Sequence, residues 1–198
     1  MTSSALSPAA APDAPDQLSL QTLREEFRTA KAKQIALLQN PALGRRSVRG
    51  VLHHFSELAD GLLRTLWQRA QMPETAALLA VGGYGRAQLF PYSDIDVLVL
   101  LPQSGAQPAP DIAARIEQFI SSCWDAGLEI GSSVRSIAEC LQEGAQDLTV
   151  QTAMLESRRI IGNQPLFANF ENQFRAQLEP KAFVEGKILE MRQRHAKY

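Results

Sequence analysis

Two aspartates and a pair of glycines are the residues of this chain best suited to carry chemistry. Asp94 and Asp96 begin an apolar run, and Gly82 and Gly83 precede them in the sequence. Strand side chains alternate in direction, so the two carboxylates point to the same face and repel each other unless a cation joins them. Carboxylate oxygens suit Mg²⁺, and glycines let backbone N–H groups approach an anion closely. The pattern predicts a catalytic site that binds metal through Asp94 and Asp96 and triphosphate through Gly82 and Gly83.

Arg86 and Ser93 flank these residues and are candidates for nucleotide binding. A guanidinium beside the glycine turn is expected to contact either a phosphate or a structural carboxylate. Ser93 either caps the approach to the strand or donates a hydrogen bond to the triphosphate. Tyr84 and Tyr92 either stack on a base or support the turn. The aspartates and glycines also have a plainer interpretation, as a strand entrance and a tight turn without a ligand.

The amino-acid sequence excludes two familiar nucleotide-binding motifs. The segment 83–88 begins like GxGxxG, but Gln88 stands at the last glycine position, so a dinucleotide site is not predicted. No GK[ST] follows the glycines, which excludes a P-loop.

The elements that position these residues follow from hydrophobic periodicity and from capping signals. Helices are predicted at 20–39 and 46–71, and strands at 76–81, 95–101 and 128–135. A helix capped by Asp111 is expected to run to residue 125 with Trp124 facing inward. The capping box from Ser136 opens another helix, Asp147 caps the next, and the remainder is helical with a break near Pro180. The pair Arg158–Arg159 is interpreted as solvated.

The order of these elements predicts an α+β fold, a small mixed β-sheet with packed helices that is preceded and followed by helices. Residues 1–17 are expected to be a disordered tail, because they are rich in Ala, Pro, Ser and Asp. Residues 18–73 form the predicted N-terminal helical segment, 74–162 the core, and 163–198 the C-terminal helices.

The composition argues against nucleic acid as a partner, against a membrane span and against a zinc site. The formal net charge is −1, so no basic field draws the chain to nucleic acid, and no apolar run is long enough to span a membrane. The only cysteines, Cys123 and Cys140, have neither CxxC spacing nor a neighbouring histidine. A zinc site is therefore not predicted, and a reduced, cytoplasmic setting with two buried thiols is expected.

A longer set of sequence segments carries a family resemblance. These segments, at 80–86, 89–96, 124–131, 133–135 and 147–158, resemble the bacterial protein-PII uridylyltransferase/uridylyl-removing enzymes. Those enzymes belong to the nucleotidyltransferase superfamily that includes DNA polymerase beta. The resemblance covers the chain from about residue 20 to its end. Two departures are Ala87–Gln88, where the family usually has Gly-Glu, and Ser132, where it usually has His, a change expected to affect the rim of the site.

The resemblance implies a polymerase-beta-like fold and Mg²⁺-dependent transfer of UMP from UTP to a tyrosine of the PII nitrogen-signal protein. It also implies that the chain is an N-terminal fragment, because the family continues with a hydrolase domain and with domains that sense glutamine. Superfamily members often bring a third carboxylate from a neighbouring strand. Glu129 is the candidate here, and a structural pair with Arg135 is its alternative. Two other functions stay open: an adenylyl- or other nucleotidyltransferase, and a catalytically silent nucleotide-binding or interaction module.

Overall fold

The computed structural model describes residues 19–39, 44–102 and 108–196. The predicted tail at 1–17 lies outside these residues. The described part contains eight helices and four strands in the order α1 (Leu20–Leu38), α2 (Arg45–Arg69), β1 (Ala77–Ala80), α3 (Gly82–Gly85), β2 (Ile95–Leu101), α4 (Pro110–Asp125), β3 (Ile130–Ser136), α5 (Ile137–Gln146), α6 (Leu148–Leu155), β4 (Arg158–Gly162), α7 (Gln164–Gln177) and α8 (Pro180–His195).

The four strands form one mixed sheet in the order β3-β2-β1-β4. β1 pairs antiparallel with both β2 and β4, whereas β2 and β3 run parallel. The parallel pair is joined through α4, because a parallel connection must cross from one end of the sheet to the other. This arrangement confirms the predicted α+β class with a small mixed sheet.

Helices cover both faces of the sheet, so the central strands β1 and β2 are apolar on both sides. On one face, side chains such as Val97 and Val99 pack in a core with residues of α1, α2 and α4. On the other face, Leu98 and Leu100 pack with residues of α5, α6 and α7. The last helix, α8, contains no buried residue. None of the helices in the described ranges is long and apolar enough to cross a bilayer.

Several local predictions are confirmed because the signals behind them act over only a few residues. The side chain of Ser136 accepts a hydrogen bond from the backbone N–H of Glu139, and the Glu139 carboxylate accepts one from the backbone N–H of Ser136, which completes the capping box. Asp147 caps α6 through the backbone N–H groups of Thr149 and Val150. Both cysteines are free and buried, and burial raises the pKa of each thiol to about 12.

Two predictions about α4 were wrong. The helix begins at Pro110, so Asp111 lies in its first turn and does not cap it. Proline is preorganised for the start of a helix, which moves the boundary one residue earlier. Trp124 is 54% exposed, and Cys123 takes the core-facing position in that last turn.

The fourth strand, β4, was missed, and its arginines were wrongly interpreted as solvated. Arg158 and Arg159 are both partly buried beside β1, and Arg158 forms an ion pair with a buried carboxylate of α2. A short segment that begins with two arginines shows no alternation of apolar and polar residues. Its strand conformation comes from pairing with β1, which sequence periodicity does not report.

Candidate active site

The two aspartates lie where β2 enters the sheet. Asp94 immediately precedes the strand and Asp96 is its second residue, so both point to the face that carries Leu98 and Leu100. Both side chains reach solvent, whereas the strand beyond them is buried. The predicted juxtaposition of the two carboxylates on one face at the strand entrance is therefore present in the fold.

The carboxylate of Asp96 lies between two glycines from neighbouring elements. A Cβ atom added to Gly82 would be 4.0 Å from Oδ2 of Asp96, and one added to Gly131 would be 2.6 Å from Oδ1. Gly82 follows β1, and Gly131 is paired with Asp96 across the parallel β2–β3 ladder. The carboxylate thus lies in a cleft whose two walls are bare backbone.

The electrostatics of this cleft favour a cation. Burial, and second the negative charge of Asp94, raise the pKa of the Asp96 carboxyl above its ordinary value. Among the described residues, no hydrogen bond or cation contributes an opposing shift to Asp96. A pair of neighbouring carboxylates is a donor set of the kind that Mg²⁺ occupies, with water and phosphate oxygens completing the shell. The two aspartates therefore fit a divalent ion.

The glycine pair opens a single helical turn, α3, beside the aspartates. The backbone N–H of Val81 donates to the carbonyl of Asp96 at 3.1 Å, which ties the start of the turn to β2. Gly82 has a φ of +58°, a left-handed conformation that glycine adopts without a steric penalty. The first N–H groups of a helical turn have no partner inside it and remain available to an acceptor. This places Gly82 beside Asp96, with Gly83 next to it in the turn.

A buried ionic network around Asp60 supports the glycine turn through Tyr84. The Tyr84 hydroxyl donates to Oδ1 of Asp60 on α2 at 2.6 Å. Arg158 on β4 donates to both oxygens of the same carboxylate, at 2.6 and 3.0 Å, and Arg64 donates at 3.1 Å. Burial and the Asp60 charge raise the pKa of the Tyr84 hydroxyl, so it stays protonated as a donor. Tyr84 therefore supports the turn, and Tyr92, 82% exposed, does not.

The glycine turn also packs closely against the backbone of Glu156. A Cβ atom on Gly85 would lie 1.9 Å from the carbonyl oxygen of Glu156, so no other residue fits there without moving the backbone. The Arg86 guanidinium forms an ion pair with the Glu156 side chain. Of the two partners expected for Arg86, the structure contains the carboxylate. The guanidinium stays half exposed, with Nη2 3.7 Å from the Cβ position of Gly83.

The remaining predicted site residues are Ser93 and Glu129. Ser93 is exposed just before Asp94. Glu129 immediately precedes β3, where its carbonyl accepts the N–H of Ile95 at 2.8 Å, level with Asp94. Across residues 19–39, 44–102 and 108–196, no three or more His, Cys, Asp and Glu side chains are arranged to hold an ion. Glu129 is therefore not gathered with both aspartates into a three-carboxylate set.

Two further expectations around β3 were wrong. Arg135 pairs with Glu143 at 2.6 Å, so it is not the structural partner proposed for Glu129. Ser132 is paired with Val97 across the ladder and shares its face, which is opposite to that of Asp96. A change from His to Ser at this position therefore does not alter the face that carries the aspartates.

Asp60 and Gly131 are the residues that sequence reasoning missed. Asp60 is only 5% exposed, yet in the sequence it is one acid in a helix that also carries polar residues. A signal was available for Asp60, because it falls within the apolar stripe between Ala59 and Leu63. Gly131 offered no comparable signal, because its role depends on the side chain of a different strand.

Comparison with known proteins decides the family. The family model described as "Nucleotidyltransferase domain" matches residues 62–160, half of the chain, including the aspartates, the glycine turn and β1 to β3. The chain belongs to the nucleotidyltransferase domain family. In this nucleotidyltransferase domain, the matched region includes Arg64, Tyr84 and Arg158 of the buried network, and their partner Asp60 lies two residues before it.

Curated relatives are similar over most of this chain. Proteins named "Bifunctional uridylyltransferase/uridylyl-removing enzyme" from Burkholderia lata and Burkholderia orbicola are each 49% identical to it over 88% of its length. The one from Burkholderia thailandensis is 47% identical over the same share. The chain spans about a fifth of the length of these relatives, 20% in each case.

Proposed function

We propose that this nucleotidyltransferase domain transfers the uridylyl group of UTP to a tyrosine hydroxyl of the PII signal protein. The observation that carries the proposal is the carboxylate pair Asp94 and Asp96, in which Asp96 faces the backbone of two glycines and no cation of the described residues opposes its charge. The uridylyl specificity rests on the named activity of relatives that share nearly half of the aligned residues. The reaction fits the cytoplasm, where nucleoside triphosphates are available.

In the proposed site, Asp94 and Asp96 hold Mg²⁺. The ion neutralises phosphate charge and lowers the pKa of the attacking hydroxyl when it is bound. Gly82 and Gly83 supply backbone N–H groups to the triphosphate, and Ser93 supplies a hydroxyl. Arg86 stabilises the turn through Glu156 and places its exposed guanidinium edge near the phosphates. Glu129 lies level with Asp94 beside the β2 entrance but is not gathered with the two aspartates, and we propose that it joins them as a third carboxylate only when an ion is bound.

The transfer itself is an in-line displacement. The tyrosine oxygen forms a bond to the α-phosphorus, and the bond from that phosphorus to the oxygen bridging the α- and β-phosphates breaks. Pyrophosphate leaves with the bonding electrons, and the hydroxyl proton passes to a carboxylate of the aspartate pair. Most of the acceleration is expected from positioning and from neutralisation of charge.

Binding by the 198-residue chain tests the first half of the proposal. Calorimetric titration with UTP and Mg²⁺ should give a heat of binding that disappears in Asp94→Asn and Asp96→Asn. Asp111→Asn is the matched control, because it removes one negative charge at the start of α4, beyond the opposite end of β2. A folded wild-type chain that gives no heat, or aspartate variants that bind like the wild type, would contradict the site.

Transfer tests the second half. A longer enzyme that carries this domain, incubated with PII and with UTP or ATP labelled on the α-phosphate, should label PII from UTP. Labelling of PII from ATP alone would overturn the uridylyl assignment and would indicate a nucleotidyltransferase that transfers AMP. The isolated chain is expected to transfer weakly, because it corresponds to a fifth of its relatives.

A further inference from the structure

The backbone of Gly131 lies so close to the Asp96 carboxylate that a side chain at position 131 would clash with it. A Cβ atom at this position would lie 2.6 Å from Oδ1 and 3.7 Å from Cγ of Asp96. Among the described residues, and apart from its neighbours in the chain, no other atom lies within 4 Å of that position. The missing side chain therefore makes room for one group, the carboxylate of Asp96.

The backbone of Gly131 does not itself require glycine. Its φ lies outside the left-handed region, unlike that of Gly82 at +58°. It is a regular member of β3, paired with Asp96 in the parallel ladder. Glycine weakens a strand interior and commonly marks a place where another group approaches closely. The local conformation would thus accept alanine, and only the carboxylate opposes it.

We propose that Gly131 is a positioning residue for the metal site, because its lack of a side chain lets the Asp96 carboxylate lean over β3. In this position the carboxylate stays on the face it shares with Asp94, where the two can bind one cation. The inference rests on the proposed function and deepens it. Gly131 itself touches neither metal nor nucleotide in this proposal, and acts only through the place of the Asp96 oxygens.

The size of the expected effect follows from the distance. To restore an ordinary contact of 3.4 Å from the 2.6 Å separation, Oδ1 of Asp96 must retreat by about 0.8 Å from an alanine at position 131. Distances from metal to ligand tolerate only about 0.2 Å of variation. Loss of an outer-shell group that orients a metal ligand typically costs about 10- to 100-fold in affinity, and a clash that displaces the ligand itself is expected to cost as much. We expect a loss within this range for Gly131→Ala.

The test is Mn²⁺ binding to the 198-residue chain, followed through the EPR signal of the free ion. Gly131→Ala should bind Mn²⁺ about 10- to 100-fold more weakly than the wild type, while its thermal unfolding midpoint does not fall. The midpoint should hold because the clash involves only the end of a flexible side chain. The matched control is Gly50→Ala, at an exposed position of α2 with nothing within 4 Å, which should leave Mn²⁺ affinity unaltered.

A double-mutant cycle separates positioning from a general structural effect. In an Asp96→Asn background the carboxylate is already lost, so Gly131→Ala should weaken no further the residual Mn²⁺ binding that is measured at millimolar ion. An additive loss would overturn the proposal, as would a Gly131→Ala variant with wild-type affinity. If Asp96→Asn alone leaves Mn²⁺ affinity unchanged, the proposed metal site itself is overturned, and with it the role of Gly131.

Discussion

The hydroxyl of Tyr84 offers a direct measure of how firmly the glycine turn is held. Tyr84→Phe removes one oxygen and keeps the ring, which is 2% exposed and packs against the Arg158 guanidinium with 5.5 Å between that group and the ring centroid. A hydrogen bond to a charged group contributes about 1.5 to 3 kcal/mol. We expect a loss of about 1.5 kcal/mol, because Asp60 keeps three guanidinium N–H donors after the substitution.

Urea unfolding at pH 7, followed by circular dichroism, measures this loss. Tyr92→Phe is the control, because it makes the same chemical change on a side chain that is 82% exposed. The control should stay within about 0.5 kcal/mol of the wild type, as surface substitutions usually do. If Tyr84→Phe also stays within that margin, the buried network does not stabilise the turn and our reasoning about it fails.

The same variant connects stability to the proposed site. A loss of about 1.5 kcal/mol leaves a typical domain folded at 25 °C, because domains are stable by about 5 to 15 kcal/mol. A weaker calorimetric affinity of Tyr84→Phe for UTP with Mg²⁺ would then report a displaced turn and not unfolded protein. Unchanged affinity would show that the position of Gly82 and Gly83 does not depend on the hydroxyl.

Three further predictions concern the cleft and its surroundings. Because the pKa of Asp96 is raised in the folded chain, its ionisation costs stability as pH rises through that pKa. Asp96→Asn should therefore raise the unfolding midpoint at pH 7 without metal, and the gain should vanish at a pH where Asp96 is protonated. Gly85→Ala should cost about 3 kcal/mol or more in urea unfolding, since the carbonyl of Glu156 cannot yield as a side chain does; a wild-type midpoint would refute the close packing. Ser136→Ala should cost about 1 kcal/mol at pH 7. This penalty should shrink as pH falls through the pKa of Glu139, which hydrogen bonds from Ser136 hold below its ordinary value, and a constant penalty would contradict that linkage.

Much of the local structure was predictable from short-range signals. The strand Ile95–Leu101 follows from a run of seven residues that is apolar except for Asp96, and the capping box at Ser136 and the cap at Asp147 depend on residues within three positions of the cap. The pairing of Asp94 and Asp96 on one face follows from strand alternation alone. For the same reason, the glycine turn and the aspartates could be recognised as a candidate site before their contacts were known.

Errors arose where distant segments decide local structure. β4 was missed because its first two residues are arginines, and its conformation comes from hydrogen bonds to β1. Arg158 was interpreted as solvated because its partner, Asp60, lies 98 positions away. Trp124 was predicted to be buried because helical periodicity identifies an apolar stripe and does not show where the neighbouring sheet ends.

By itself, the sequence determined the helices, the central strands and the presence of two carboxylates on one face beside a glycine turn. These properties depend on backbone preferences, capping and side-chain alternation over a few residues. Only the tertiary structure decided that Gly131 leaves space for Asp96, and that Asp60 and Arg158 hold the turn through Tyr84. Those contacts join strands and helices far apart in the chain, and long-range packing, which has no local signature, brings them together.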